Sequence, residues 1–292
     1  MPDPLDHYRS PGPFTGLSGL GADALAGLPA DPNDVAAVVQ GLVVHPFLTD
    51  LYGTQLGADR IDDQQVRPAA DGLARVLARH PGPLVAARDP GHRLAGTCRT
   101  FTTVAVALLR HAGVPARARC GFASYFQADR WVDHWVVEHH DGERWVRLDA
   151  QVDDVQRRAF DLEFDPTDVP ARGFLAAGEA WQACQEGRED GDAFGILDEW
   201  GQWFIRGNVA RDLAALNKVE LLPWDGWGDL ALDEEPPGGD AYVDEVAALL
   251  VADDHDAICA RYEGDPGLKV PPRVLAMATP DGPTWVDLPE LA

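Results

Sequence analysis

The chain has 292 residues, 46% of them hydrophobic, which suffices for one large core or two modest ones. Its formal charge of −24 is uneven: residues 1–150 carry 17 acids and 14 bases, residues 151–292 carry 31 acids and 10 bases. An acidic second half repels phosphates, so nucleic acid is not an expected partner, and no run of about 18 apolar residues offers a membrane span.

The acidic surplus serves solubility first, and it would also suit a cationic amine. The opening stretch "MPDPLDHYRSPGPF" has acids before its first arginine and is broken by Pro and Gly. It does not read as a secretory signal, and a cytoplasmic location is expected. Cys98, Cys120, Cys184 and Cys259 are widely spaced and form no C-x-x-C pair. They read as free thiols of a reducing compartment, not as a disulfide framework or a zinc site. Two lysines against many arginines, with heavy use of Ala, Gly, Asp and Pro, suggest a GC-rich bacterial genome.

Residues 1–34 are Pro- and Gly-rich and read as irregular. Asp34 is the expected N-cap of a helix from Val35, interrupted at His45-Pro46. A second helix is predicted over "QQVRPAADGLARVLARH", with Val66, Leu73, Val76 and Leu77 inward. The central helix runs from Cys98 to His111. Phe101, Val104, Ala105, Leu108 and Leu109 give it an apolar stripe, Gly113 can take a left-handed cap, and Pro115 prevents continuation. "ARARCGF" alternates as a strand with Ala116, Ala118, Cys120 and Phe122 on one face.

Two β-rich runs then flank Asp141-Gly142, a hairpin signal. A two-residue turn there pairs positions summing to 283, which sets His134 directly across from Asp149. Directly opposed side chains share a face, with Cβ atoms roughly 4.5–5.5 Å apart. "FLAAGEAWQACQEG" reads as a helix ending at Gly187. The Trp-rich stretch 197–230 is predicted mostly helical up to Pro223. "DEEPPGGD" reads as a linker, 241–264 as one amphipathic helix, and the tail is Pro-rich.

A thiol at the mouth of a helix is in the most electropositive place the backbone offers. A thiolate is favoured there, and more so beside an imidazole, which in turn needs a carboxylate to hold its tautomer. Cys98 with His134 and Asp149 supplies those three types. Helix, return strand and hairpin would make an antiparallel sheet over one helix, an α+β arrangement.

These residues resemble the transglutaminase-like superfamily. The carrying motifs are "GTC" (96–98), "ALLRHAGVPAR" (107–117), "HWVVE" (134–138) and "WVRLD" (145–149), in family order and spacing. The resemblance implies a papain-like α+β core at 35–165, with Cys98 as nucleophile, His134 as base, Asp149 as orienter, and no cofactor. Trp135 follows His134 where many members have Ala, and Ala150 follows Asp149 where many have Pro. The oxyanion helper has no clear counterpart; Gln64, Gln65, His92 and Arg93 are unranked candidates. A Trp-rich helical extension (166–232) and an acidic linker, helix and tail (233–292) would follow the core.

Arg99, Trp131 and Trp135 are candidates to touch substrate, and no metal site is expected. His139 and His140, at the hairpin tip, read as solvated. Arg206, Asn208, Arg211, Asp212, Asn217 and Lys218 read as a solvated or inter-domain face. The activity implied is acyl transfer from an amide or thioester, with a small-molecule or peptide acyl substrate and a cationic amine as one acceptor. An acyl-CoA:amine N-acyltransferase is a rival reading. A non-catalytic interaction module on the same fold is another.

Overall fold

The computed structural model describes residues 3–232, 236 and 238–291, so most of the expected linker lies outside the described residues. It is α+β, with two compact units interleaved in sequence. The first comprises 1–118 and 136–169, the second 119–135 and 170–292. The expected boundary at 165 lies four residues before this division, and 119–135 groups with the C-terminal part. No helix among the described residues is long and apolar enough to cross a membrane.

In the first unit the chain forms α1 (Pro4–Arg9), α2 (Ala22–Leu25) and α3 (Pro32–Gln40). The N-terminal segment is therefore not irregular throughout. Tyr8 and Phe14 are buried, and Arg110 donates to the Tyr8 carbonyl and to Thr15 Oγ1. The cap of α3 is Asp31 rather than Asp34. Its carboxylate accepts from the amides of Asn33 and Asp34 at 2.9 and 3.3 Å, and Pro32 takes the first helical position, where its missing N–H is no loss.

Next come β1 (Val43–Val44), α4 (Ala69–Arg79), β2 (Leu94–Ala95) and α5 (Cys98–His111). The predicted second helix loses its first turn because residues 58–65 form a 3-10 helix. The central helix matches its predicted bounds. Its stripe was only part of the story, since every residue from Cys98 to Arg110 is buried. α1, α3 and α4 pack against it. Gly113 adopts φ +80 just beyond its end, as a left-handed cap requires.

One buried ion cluster holds the approach to α5. The Asp63 carboxylate accepts from Arg60 Nε (3.0 Å), Arg75 Nη1 (3.2 Å), Arg79 Nη1 and Nη2 (2.8 and 2.6 Å) and the Ala95 amide (3.2 Å). Burial pushes its pKa up, but hydrogen bonds led by Arg79 and Arg60 outweigh that and hold it below the usual carboxylate value. Arg60 also donates to the carbonyls of Gly91 and Arg93.

β3 (Ala116–Ala123) and β4 (Trp131–His140) are neighbouring strands, and each runs from one unit into the other. Within the first unit β4 pairs antiparallel with β5 (Trp145–Leu148), and α6 (Asp154–Ala159) follows. The hairpin exists, but its register differs from the prediction. The pairs are His140 with Trp145 through Val137 with Leu148, so Val136, not His134, lies on the rung extrapolated to Asp149. The Asp141 side chain explains the shift. Its Oδ1 accepts from the amides of Glu143 and Arg144 (2.8 and 2.9 Å), which stabilises a four-residue loop in place of a two-residue turn.

The second unit continues β3 and β4 and adds β6 (Phe174–Ala176), α7 (Ala177–Gln185), β7 (Phe194–Ile196), β8 (Glu199–Trp200), α8 (Gln202–Leu216), β9 (Asp225–Gly226), α9 (Asp240–Ala252), α10 (His255–Gly264), β10 (Arg273–Ala276) and β11 (Thr284–Asp287). β6 pairs antiparallel with β3, and β7 pairs parallel with β4. The single helix predicted over 241–264 is two, parted at Asp253, which is left-handed, and restarted by the cap of Asp254. The Pro-rich tail holds a β-hairpin, β10 with β11.

The expected polar face of α8 is largely interior. Asp212 takes a bidentate pair from Arg119 (2.8 and 3.0 Å) and the Cys120 amide (2.9 Å). Asn208 donates to Asp133 at 2.7 Å, and Lys218 is also buried. α7, α9 and α10 pack against this helix, and none of its residues is fully exposed.

Two predictions follow from this packing. Asp63→Asn strands three arginine side chains around an uncharged group and should lower stability by about 3–5 kcal/mol, read from denaturant midpoints. His139 is buried, with Nδ1 lacking a hydrogen-bond partner, in contrast to its predicted solvation. Burial lowers its pKa below 6.5. The unfolded chain then binds more protons in that range, so this group withdraws stability as pH falls through 6.5. His139→Gln should flatten the acid side of the stability profile between pH 7 and 5.

Candidate functional site

The segment before Cys98 is fixed from several directions. β2 runs parallel to β1, with the Leu94 amide on the Leu42 carbonyl (2.8 Å) and the Gly96 amide on the Val44 carbonyl (3.1 Å). The Ala95 amide between them goes to Asp63. Gly96 packs directly on Thr100. A Cβ at residue 96 would lie 2.6 Å from the Thr100 Cβ, so the Gly in "GTC" is a steric requirement.

Thr97 is the N-cap of α5, in extended backbone, and makes no side-chain cap hydrogen bond. The first-turn amides are therefore not taken by a capping side chain. Cys98 opens the helix, 6% exposed, and all four cysteines are free thiols.

Asp149 also belongs to the first unit. It follows β5, is buried, gives its amide to the Pro166 carbonyl (2.8 Å) and receives the Gln151 amide on Oδ1 (2.9 Å). His134 belongs to the second unit, on β4, and is 2% exposed. The rings of Tyr125 and Phe126 stand edge-on to its imidazole at centroid distances of 5.9 and 4.9 Å. Asp133 beside it is held by Asn208. Burial raises the Asp133 pKa against the opposing pull of that hydrogen bond.

The three candidate substrate contacts each have neighbours within the protein. Arg99 is 1% exposed, donates to the Arg67 carbonyl (2.7 Å) and lies over the Phe14 ring (5.8 Å). It ties α5 to the preceding loop and presents no surface to a substrate. Trp135 is equally buried, with its Nε1 lacking a hydrogen-bond partner. Trp131 is half-buried, stacks on Phe194 (5.7 Å, 3° between planes) and donates to Glu189 (3.0 Å). Of the oxyanion candidates, His92 rests near His80 (5.6 Å), and Arg93 Nε donates to the Arg88 carbonyl (2.8 Å). Gln64 and Gln65 are half-buried in the 3-10 helix that bears Asp63.

Sequence reasoning missed Asp63, Tyr125 and Phe126. The aromatic pair begins three residues beyond the end of the predicted strand at Phe122, and that nearness is its one signal. Asp63 carried none, because its partners lie up to 32 residues away. Among the described residues no three His, Cys, Asp or Glu side chains are grouped to hold a metal ion.

No curated protein matches the chain. A solved structure described as a putative cysteine protease from Cytophaga hutchinsonii is similar at 17% identity and a TM-score of 0.34. That similarity covers 60% of this chain and 46% of the other, so the chain spans less than half of that protein's length. The family model of the transglutaminase-like superfamily matches residues 81–150. That interval contains α5 with Cys98, the return strand β3, the β4–β5 hairpin and Asp149. Through this segment the chain is similar to the transglutaminase-like superfamily.

Proposed function

We propose that the protein transfers acyl groups through Cys98, with His134 as base and Asp149 as the group that orients it. The observation that carries this reading is the placement of Cys98. It is the first residue of a helix buried from Cys98 to Arg110, and the N-cap supplies no side-chain acceptor. Uncapped first-turn amides are suited to hold a thiolate and then an oxyanion. Burial of His134 and Asp149 adds support, since charged side chains are rarely buried without a partner.

In this scheme the Cys98 thiolate attacks an amide or thioester carbonyl. The S–C bond forms as the carbonyl π bond opens onto oxygen, and the oxyanion rests on the amides at the start of α5. Collapse expels the leaving group, which takes its proton from the His134 imidazolium. The neutral imidazole then removes a proton from water or an amine, which attacks the thioester and releases Cys98. Water gives hydrolysis and an amine gives transamidation. Exclusion of water from the acyl group decides between them. Asp149 stays ionised throughout and holds the imidazole tautomer.

The test is the rate of Cys98 alkylation by iodoacetamide against pH, with peptide mass spectrometry to assign the site. Cys98 should react fast below pH 7, and His134→Ala should slow it at pH 6 by about tenfold or more. Cys98→Ala should abolish turnover of amide and thioester substrates. A Cys98 that titrates as an ordinary thiol near pH 8.5 would sink this reading and favour the interaction module.

A further inference from the structure

Side chains of the first unit form a hydrogen-bonded chain that ends on Asp149. It begins at Asp153, whose Oδ1 caps α6 by accepting from the amides of Val155 and Gln156, both at 2.9 Å. Its Oδ2 accepts the hydroxyl of Tyr52 at 2.9 Å. Tyr52 closes the 3-10 helix Pro46–Tyr52, with the Arg93 guanidinium 5.7 Å from its ring centre. Burial raises its pKa well above the ordinary phenol value, so it remains a donor at every working pH.

The direction of the chain is dictated by its carboxylate end. An ionised carboxylate only accepts, so the Tyr52 proton is committed to Asp153 and the Tyr52 oxygen must accept. Gln156 Nε2 donates to it at 2.9 Å. That turns Gln156 Oε1 toward Gln151, whose Nε2 donates at 3.1 Å. Turning either amide over would set two donors or two acceptors against each other. The Gln151 backbone amide then donates to Asp149 Oδ1 at 2.9 Å. From α3, Gln40 Nε2 donates to the Val152 carbonyl at 3.2 Å, fixing the backbone between. Gln151 and Gln156 are 4% and 1% exposed, so bulk water does not compete for these bonds.

We propose that Tyr52 is a positioning residue, which through Gln156 and Gln151 sets the orientation of the Asp149 carboxylate toward an imidazole. The inference rests on the acyl-transfer reading above and adds a device that no motif in the sequence marks. Three elements converge on residues 149–153: α3 through Gln40, the 3-10 helix through Tyr52, and α6 through Gln156. The last link is the Gln151 backbone amide, so the side-chain bonds act on Asp149 by fixing where residue 151 lies.

Tyr52→Phe keeps the ring and deletes the hydroxyl. Gln151→Met keeps the length of the side chain and deletes the amide. For each full-length variant, checked for folding by circular dichroism, the Cys98 alkylation rate at pH 6 is divided by the rate at pH 9. Unfolded chain reacts as an ordinary thiol and would itself lower that ratio, so the rates are read only from variants that circular dichroism shows to be folded at both pH 6 and pH 9. The ratio should fall roughly three- to tenfold in both variants, the range set by one internal hydrogen bond. An unchanged ratio in both, with the low-pH reactivity of the parent chain intact, overturns the relay and leaves the triad standing. A parent chain with no low-pH reactivity overturns the triad, and the relay with it.

Discussion

A single buried carboxylate governs where the chain lies before Cys98. Asp63 sits in a 3-10 helix, draws Arg75 and Arg79 from α4 and takes the amide of Ala95 from β2. Burial alone would favour its neutral form, and the arginines reverse that. Arg60 carries the cluster further, to the carbonyls of Gly91 and Arg93. The parallel pair β1–β2 and the contact of Gly96 with Thr100 then leave little freedom for the start of α5. The placement of the thiol is thus set by charge pairing some thirty residues upstream as much as by the helix.

The same device recurs through the sheet. β3 alternates apolar residues with Arg117 and Arg119, and both arginines are buried. Arg117 meets Glu138, which also takes Arg147 at 3.1 Å, and its guanidinium lies 4.1 Å from the centre of the Trp145 ring. Arg119 meets Asp212. Each arginine finds its carboxylate inside its own unit, so β3 is buried along its whole length without an unpaired charge. Buried pairs of this kind specify register more than they stabilise, because an offset strand would leave both partners unmatched.

What the sequence disclosed follows from what kind of information it holds. The central helix was legible to the residue because its signals are local: an apolar stripe, a Gly that can turn left-handed, a Pro beyond it. The break between α9 and α10 was missed because both halves keep helical periodicity and Asp253 and Asp254 look like surface acids. The interior face of α8 was misread because Asn208 and Asp212 have long-range partners, Asp133 and Arg119, which periodicity cannot show. His139 was assigned to solvent because it lies near a turn, yet the four-residue loop sets that turn one residue farther along than the predicted one. The motif residues Cys98, His134 and Asp149 stand out by type and order, whereas Asp63, Tyr52 and Gln156 find partners up to 104 residues away, which no local pattern marks.

The hairpin shows which part of a register argument matters for chemistry. The predicted pairing failed by two residues because the Asp141 carboxylate closes a longer loop. Side chains alternate with a period of two along a strand, so a slip of one would have sent His134 to the opposite face. A slip of two does not. His134 stays on the face of β4 that Val136 and Glu138 share, and the rung extrapolated to Asp149 falls on Val136 of that same face. The proposed partnership therefore no longer has directly opposed residues behind it, but face parity survives. On the Asp149 side the backbone is pinned in its own right, since the Gln151 amide donates to the carboxylate while the Gln151 side chain is tied to Gln156.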